Sequence, residues 1–224
     1  MTFPGDLFIK KFAMGLFILL LIGFILAPRY LVYSDSPDKA DIIVQFAGPD
    51  QDTRRREALQ LVREGLSEYF YIPASLSLYR TNEDKSLTSI RFPDIEPAID
   101  LLHSRFEKKI SMTYLEKIWQ EYRFPRYYEN THVEMLLAKK VMDAYGFKRA
   151  IFVSSPYHMK RIEIISGRVF DSAYDITLVP SRFEKRFDAP LPSQKDMKHV
   201  FTELPKMIWF LCYDLWDCWM GVNL

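Results

Sequence analysis

Cysteine is scarce in this chain: among 224 residues there are only Cys212 and Cys218. That excludes a disulfide scaffold and a cysteine-rich zinc or iron–sulfur site. Six residues apart on a helix, the two lie about 240° around it, too divergent to bridge one another. They read as small buried apolar residues. Charge of one sign is also missing. Lys and Arg total 30 against 29 Asp and Glu, a net charge of +1. There is no basic excess to displace counterions from a nucleic-acid backbone, so nucleic acid is not an expected partner. The histidines (His103, His132, His158 and His199) form neither an H-E-x-x-H motif nor a close pair. A protein zinc site is therefore not expected, whereas a carboxylate-bound divalent cation stays open. No G-x-S-x-G surrounds Ser154 or Ser155, and no G-x-G-x-x-G follows the first strand. No cofactor is identified by the residues. With 49% hydrophobic and 26% charged residues, the chain has the balance of a folded globular protein.

One long apolar run is present. Phe12–Ala27 carries no charge, and with the next few residues it reaches about 22 positions, enough to cross a hydrocarbon core of about 30 Å. Lys10 and Lys11 precede it, so the positive-inside rule keeps the N-terminus in the cytoplasm and the rest outside. A cleaved signal peptide fits less well. The only cleavage point, after Ala27, is followed by Pro28 and has Ile25 where a small residue is needed. The expected organisation is a cytoplasmic tip and transmembrane anchor at 1–33, a polar linker at 34–40, and one α/β domain at 41–224. Membrane contact is expected through residues 12–33. Without the anchor the remainder is nearly neutral, so selectivity for a charged ligand must come from a local cluster.

Within 41–224 apolar runs alternate with helical patterns. Strands are expected at Asp41–Ala47, Tyr69–Ile72 (extending through Ser75–Tyr79), Arg149–Ser154 and Asp175–Val179. Helices are expected after Asp52 or Thr53, over His132–Tyr145 and Tyr157–Phe170, and from Gln194 with a bend at Pro205. Residues 80–128 read as a helical insertion, with helical spacing in Ser111–Tyr122. The alternation implies a mainly parallel sheet with flanking helices.

Three segments carry chemistry. In Ala150–Arg161 a strand, a turn and a helix start follow one another. Ser155 is expected to cap that helix and Pro156 to take its first position. Capping does not account for Ser154, Tyr157, His158 and Arg161 gathered at the same helix mouth. There, free N–H groups and the positive dipole end suit a phosphate or carboxylate. In Tyr127–Glu134, Thr131 and Glu134 have capping-box spacing and would lie near the other strand ends. In Gly48–Glu57, Gly48 permits close backbone approach. Arg54, Arg55 and Arg56 fan out at 100° each, so one or two at most can face a crevice.

Together ADIIVQFAG, Arg54 with EALQLVREG, Asn130-Thr131, SSPYHMKR and a terminal ELPK resemble the bacterial envelope family of SanA, YdcF and ElyC. The resemblance implies a Rossmann-like sheet behind an N-terminal transmembrane helix. It also implies a periplasmic placement at the inner membrane and a role in cell-envelope or surface-polysaccharide biogenesis. The implied ligand is phosphorylated, lipid-linked or nucleotide-like. Two functions are then open. One is a hydrolase or transferase on a phosphorylated envelope precursor. In it His158 is a general acid or base, Glu134 binds a cation or orients His158, and Arg54 and Arg161 hold phosphate oxygens. The other is a non-catalytic binding or regulatory module of envelope assembly. Protein partners are not specified by either. Lastly, Met207–Val222 is rich in tryptophan. Its first turns are expected to cover the sheet and its distal part to rest on the membrane or a partner.

Overall fold

The computed structural model describes residues 4–90, 130–184 and 191–219. Helix α1 (Pro4–Leu31) is followed by strand β1 (Ile42–Gln45), helix α2 (Gln51–Arg63) and strand β2 (Tyr69–Ile72). Strands β3 (Ser77–Thr81) and β4 (Leu87–Ile90) come next, then helix α3 (Asn130–Tyr145) and strand β5 (Arg149–Ser154). A 3₁₀ turn (Pro156–His158) leads into helix α4 (Met159–Val169), strand β6 (Asp175–Pro180) and helix α5 (Gln194–Trp219).

The six strands form one sheet in the order β4-β3-β2-β1-β5-β6. β2, β1, β5 and β6 run parallel, with Ile43 opposite both Phe70 and Ile151. The four residues of β1 are buried without interruption, as expected for a parallel strand covered on both faces. Alternation along the strands splits the core in two. Ile43, Ile151 and Val153 pack with Ala58, Leu61 and Val62 of α2. Ile42, Val44 and Phe152 pack with Val133 and Leu137 of α3, Met159 and Ile162 of α4, and Phe210 of α5. The sheet is thus the middle layer of a Rossmann-like α/β/α sandwich. The chain leaves β1 toward β2 on one side and β5 toward β6 on the other. The carboxyl ends of β1 and β5 are therefore the topological switch point, where such sheets open a crevice.

The expected strands and helices are present, with differences that have local causes. Ser75–Tyr79 does not prolong β2. Pro73–Ser75 is a 3₁₀ turn, Leu76 takes φ 49°, and β3 returns antiparallel. Residues 80–128 begin as the β3–β4 hairpin, in which Asn82 N–H bonds Ser86 O at 2.9 Å, and not as a helical insertion. Most of that block, including the helical reading of Ser111–Tyr122, lies outside the described residues. The polar segment 34–40 is tied down along β6: Asp35 N–H donates to Leu178 O at 2.8 Å and its carboxylate accepts Leu178 N–H at 2.9 Å. Cys212 is exposed, not buried.

Helix α1 contains a 21-residue stretch, Lys11–Leu31, with mean hydropathy 2.2, long and apolar enough to cross a membrane. Most of its described large apolar side chains, among them Phe12, Phe17, Leu19, Ile22, Phe24 and Leu26, stand exposed, whereas Leu31 is buried with Tyr157, Val200 and Met207. The chain therefore joins the sandwich at the last turn of α1.

Candidate functional site

A cleft of about 1100 Å³ opens at the carboxyl ends of β1 and β5. The loop after β1 supplies Ala47 and Gly48, and α2 supplies Arg54. The first turn of α3 gives Thr131 and Glu134, while the turn into α4 gives Ser155, His158 and Arg161. The stretch of α5 from Lys195 to Trp209 closes the far wall with Lys195, Lys198, His199, Glu203, Lys206 and Trp209. The starts of α2, α3 and α4 thus converge on one space, each with its positive dipole end inward. Five Arg and Lys line the cleft against three Asp and Glu, so the neutral chain carries a local positive excess here.

Arg54 is the buried hub. It is fully inaccessible, and its guanidinium spends its five N–H donors on protein acceptors. Nε donates to Ser155 Oγ at 3.0 Å, and one terminal nitrogen donates to Phe46 O at 3.1 Å and to Ala47 O. The other contacts Ser155 Oγ and lies 3.3 Å from His158 Nδ1. Glu184, after β6, adds a carboxylate at 3.8 Å. Burial pulls the Arg54 pKa down, and the Glu184 and Glu134 charges oppose that shift. Gly48 makes this possible, because a Cβ there would collide with the guanidinium. Arg55 and Arg56 are exposed, and Arg56 lies 4.0 Å over the Phe183 ring.

A second knot joins α4 to α5. Glu203 is 1% exposed. Its Oε2 accepts Arg161 Nε at 2.6 Å, and its Oε1 lies 3.2 Å from His158 Nε2 and 3.4 Å from Lys206 Nζ. Burial alone would raise this carboxyl. The His158 hydrogen bond and the Arg161 charge outweigh it and hold Glu203 well below the usual carboxylate range. His158 is pushed down to about 4, chiefly by burial, with the Arg161 and Arg54 charges adding to it. Its imidazole is therefore neutral at pH 7, with Nε2–H donating to Glu203 and Nδ1 accepting from Arg54. Arg161 also donates to Thr131 Oγ1 at 2.6 Å, which ties α3 to the same knot.

Of the sequence-derived residues, Gly48, Arg54, Thr131, Glu134, Ser155, His158 and Arg161 meet at this cleft. Ser154 and Tyr157 do not line it. Ser154 ends β5, wholly buried, with its carbonyl on Ser181 N–H at 2.8 Å. Tyr157 turns to a smaller neighbouring cavity. There its hydroxyl bonds Asp196, and its ring stacks on His199 at 4.4 Å. Ser155 begins the 3₁₀ turn without a side-chain cap, because its hydroxyl is taken by Arg54. Thr131 and Glu134 form no capping box: Thr131 lies inside α3, and Glu134 Oε2 accepts Ala47 N–H at 3.0 Å. The carboxylate that orients His158 is Glu203, not Glu134. A clamp of phosphate by Arg54 is likewise displaced, because its donors are spent internally.

Sequence reasoning did not place Glu203, Lys195, Lys198 and Lys206 in the site. ELPK marked the closing helix, but nothing local to it shows which face meets the strand ends. Among the described residues, no group of three His, Cys, Asp or Glu is placed to hold a metal ion. No family model, curated protein or solved structure matches the chain.

Proposed function

We propose that this is a membrane-anchored, extracytoplasmic protein of bacterial cell-envelope or surface-polysaccharide biogenesis, similar to SanA, YdcF and ElyC. In this reading it binds a phosphorylated ligand, lipid-linked or nucleotide-like, in the switch-point cleft. α1 spans the inner membrane once and the sandwich lies in the periplasm. The observation that carries the ligand reading is the gathering of Arg161, Lys195, Lys198 and Lys206 with three helix starts around one cleft in an otherwise neutral chain. Arg161 and the α5 lysines supply charge to phosphate oxygens, and the Arg54 hub keeps the strand-end loops in place.

A non-catalytic binding module is the second reading. It is favoured by the pinned His158, a neutral imidazole whose two nitrogens both face protein partners. The full chain in detergent should bind pyrophosphate or a prenyl phosphate by isothermal titration. Arg161→Gln should weaken that binding by roughly ten- to a hundredfold, and added salt should weaken it further. No heat with either probe would reject the ligand reading. Phosphorus NMR of the same mixtures separates the two functions. Turnover that disappears in His158→Gln supports an enzyme, whereas binding without turnover supports the module.

A further inference from the structure

Helix α5 has three faces, not two. Val200, Glu203, Met207, Phe210 and Asp214 are buried on the sandwich. Lys198, Thr202, Lys206 and Trp209 line the cleft. At 100° per residue, Phe201, Ile208, Leu211, Leu215 and Trp219 share the remaining face. They are exposed by 67%, 60%, 37%, 67% and 77%. From Phe201 to Trp219 this apolar stripe runs about 27 Å along the helix. An exposed apolar stripe of this size marks a membrane or protein interaction surface.

We propose that this stripe lies in the outer interface of the same bilayer that α1 spans. The inference rests on the anchor reading above and is independent of the phosphate reading. Lipid is the favoured occupant because the stripe begins where the span ends. The Phe24 ring, inside the Lys11–Leu31 stretch, lies 6.1 Å from the Phe201 ring. Leu31 is buried with Val200 and Met207 on the adjacent face of α5. A helix clasped to the last turns of a spanning segment cannot stand away from the membrane. Its composition fits that seat: a large apolar face with a tryptophan, and Lys198 on the flank next to Phe201, placed to meet anionic headgroups.

The test uses the full chain with both cysteines replaced by serine, in nanodiscs of phosphatidylcholine and phosphatidylglycerol. A nitroxide is attached at Leu19→Cys, Phe201→Cys, Ile208→Cys, Leu215→Cys or Lys198→Cys in turn, with unchanged circular dichroism confirming the fold. Collision rates with oxygen and with a water-soluble nickel chelate read the surroundings. The expected result is oxygen exceeding nickel severalfold at positions 19, 201, 208 and 215, with the reverse at 198. Position 19 in lipid with 201, 208 and 215 as wet as 198 would overturn the seat and leave the anchor standing. Shielding of 201, 208 and 215 from both reagents would mean a protein partner or second copy and would overturn it too. Water at position 19 would overturn anchor and seat together.

Discussion

Arg54 and Gly48 show how one side chain can set the shape of a site without facing its ligand. A guanidinium with no exposure must find an acceptor for every N–H, because an unmet donor in the interior costs about 1–3 kcal/mol. Arg54 finds them on the loops after β1 and β5, so it fastens together the two strand ends that frame the cleft. The space it occupies is the space a Cβ at position 48 would need. Gly48→Ala should therefore push the guanidinium off its acceptors and lower stability by about 2 kcal/mol, a typical cost of overpacking and lost buried hydrogen bonds. Denaturant unfolding of the full chain in detergent reads this directly. An unchanged midpoint would show that the loop shifts aside and that Arg54 is not the fastener. Glu203 has the complementary role: a buried carboxylate of α5 that ties Arg161 and His158 to that helix.

At the scale of elements, two histidines seat helices against the sandwich in their neutral form. His132 in α3 is buried, packs edge-on against Phe210 of α5 at 5.5 Å, and is pushed down to about 4 by burial. His158, in the turn before α4, is depressed to about 4 for the reasons given above. In the unfolded chain each takes up a proton near pH 6.5. Between about pH 6.5 and about 4 the unfolded state therefore binds more protons, so stability is fully present above 6.5 and falls as the pH drops. Each histidine contributes roughly 1.4 kcal/mol per pH unit in that window. Glu203 adds little between about pH 7.5 and about 5, because its contribution is lost only as the pH falls into the ordinary carboxylate range, where the unfolded chain takes up the proton. Thermal unfolding in detergent at about pH 7.5 and about pH 5 should show a clear drop at the lower pH. His132→Phe should remove about half of the dependence. Equal melting at both values would mean that neither histidine is held neutral.

For the whole molecule, the arrangement of α1 and the sandwich makes a prediction about topology. The apolar stretch ends at Leu31, already buried on α5, so the folded part starts with almost no slack beyond the span. On the anchor reading, Lys10 and Lys11 at the other end of the run would hold the N-terminus inside under the positive-inside rule. A phosphatase reporter fused after Leu224 should be active, and a fluorescent protein that matures only in the cytoplasm should stay dark. The opposite pattern would reverse the orientation and remove the periplasmic reading. Retention of the reporter in the membrane fraction after alkaline extraction would separate an uncleaved span from a cleaved signal.

Some of this was legible without coordinates, and the boundary follows from the range of the forces involved. Ile42–Gln45, Tyr69–Ile72 and Arg149–Ser154 are β-branched or aromatic runs set between turn signals, and their alternation with helical spacing dictated a mainly parallel sheet. The uncharged run after Lys11 dictated a helix able to cross a membrane. Gathering His158 and Arg161 at a helix mouth beyond a strand was also local information, two residues three apart on one turn. Roles that depend on distant partners were not legible. The Ser155 hydroxyl reads as a cap, yet it accepts from Arg54, 101 residues away in the chain. Thr131 and Glu134 read as a capping box, yet one meets Arg161 and the other the Ala47 amide. Leu76 gives no sign that it will take a left-handed conformation and turn β3 back against β2. The three faces of α5 could not be assigned from its periodicity, because apolar residues occupy two of them and polar residues the third. Hydrophobic spacing and turn chemistry act within a few residues and settle the elements. Which hydroxyl a buried guanidinium finds, and which carboxylate reaches His158, is decided only when the sheet brings the ends of β1 and β5 together and α5 closes over them.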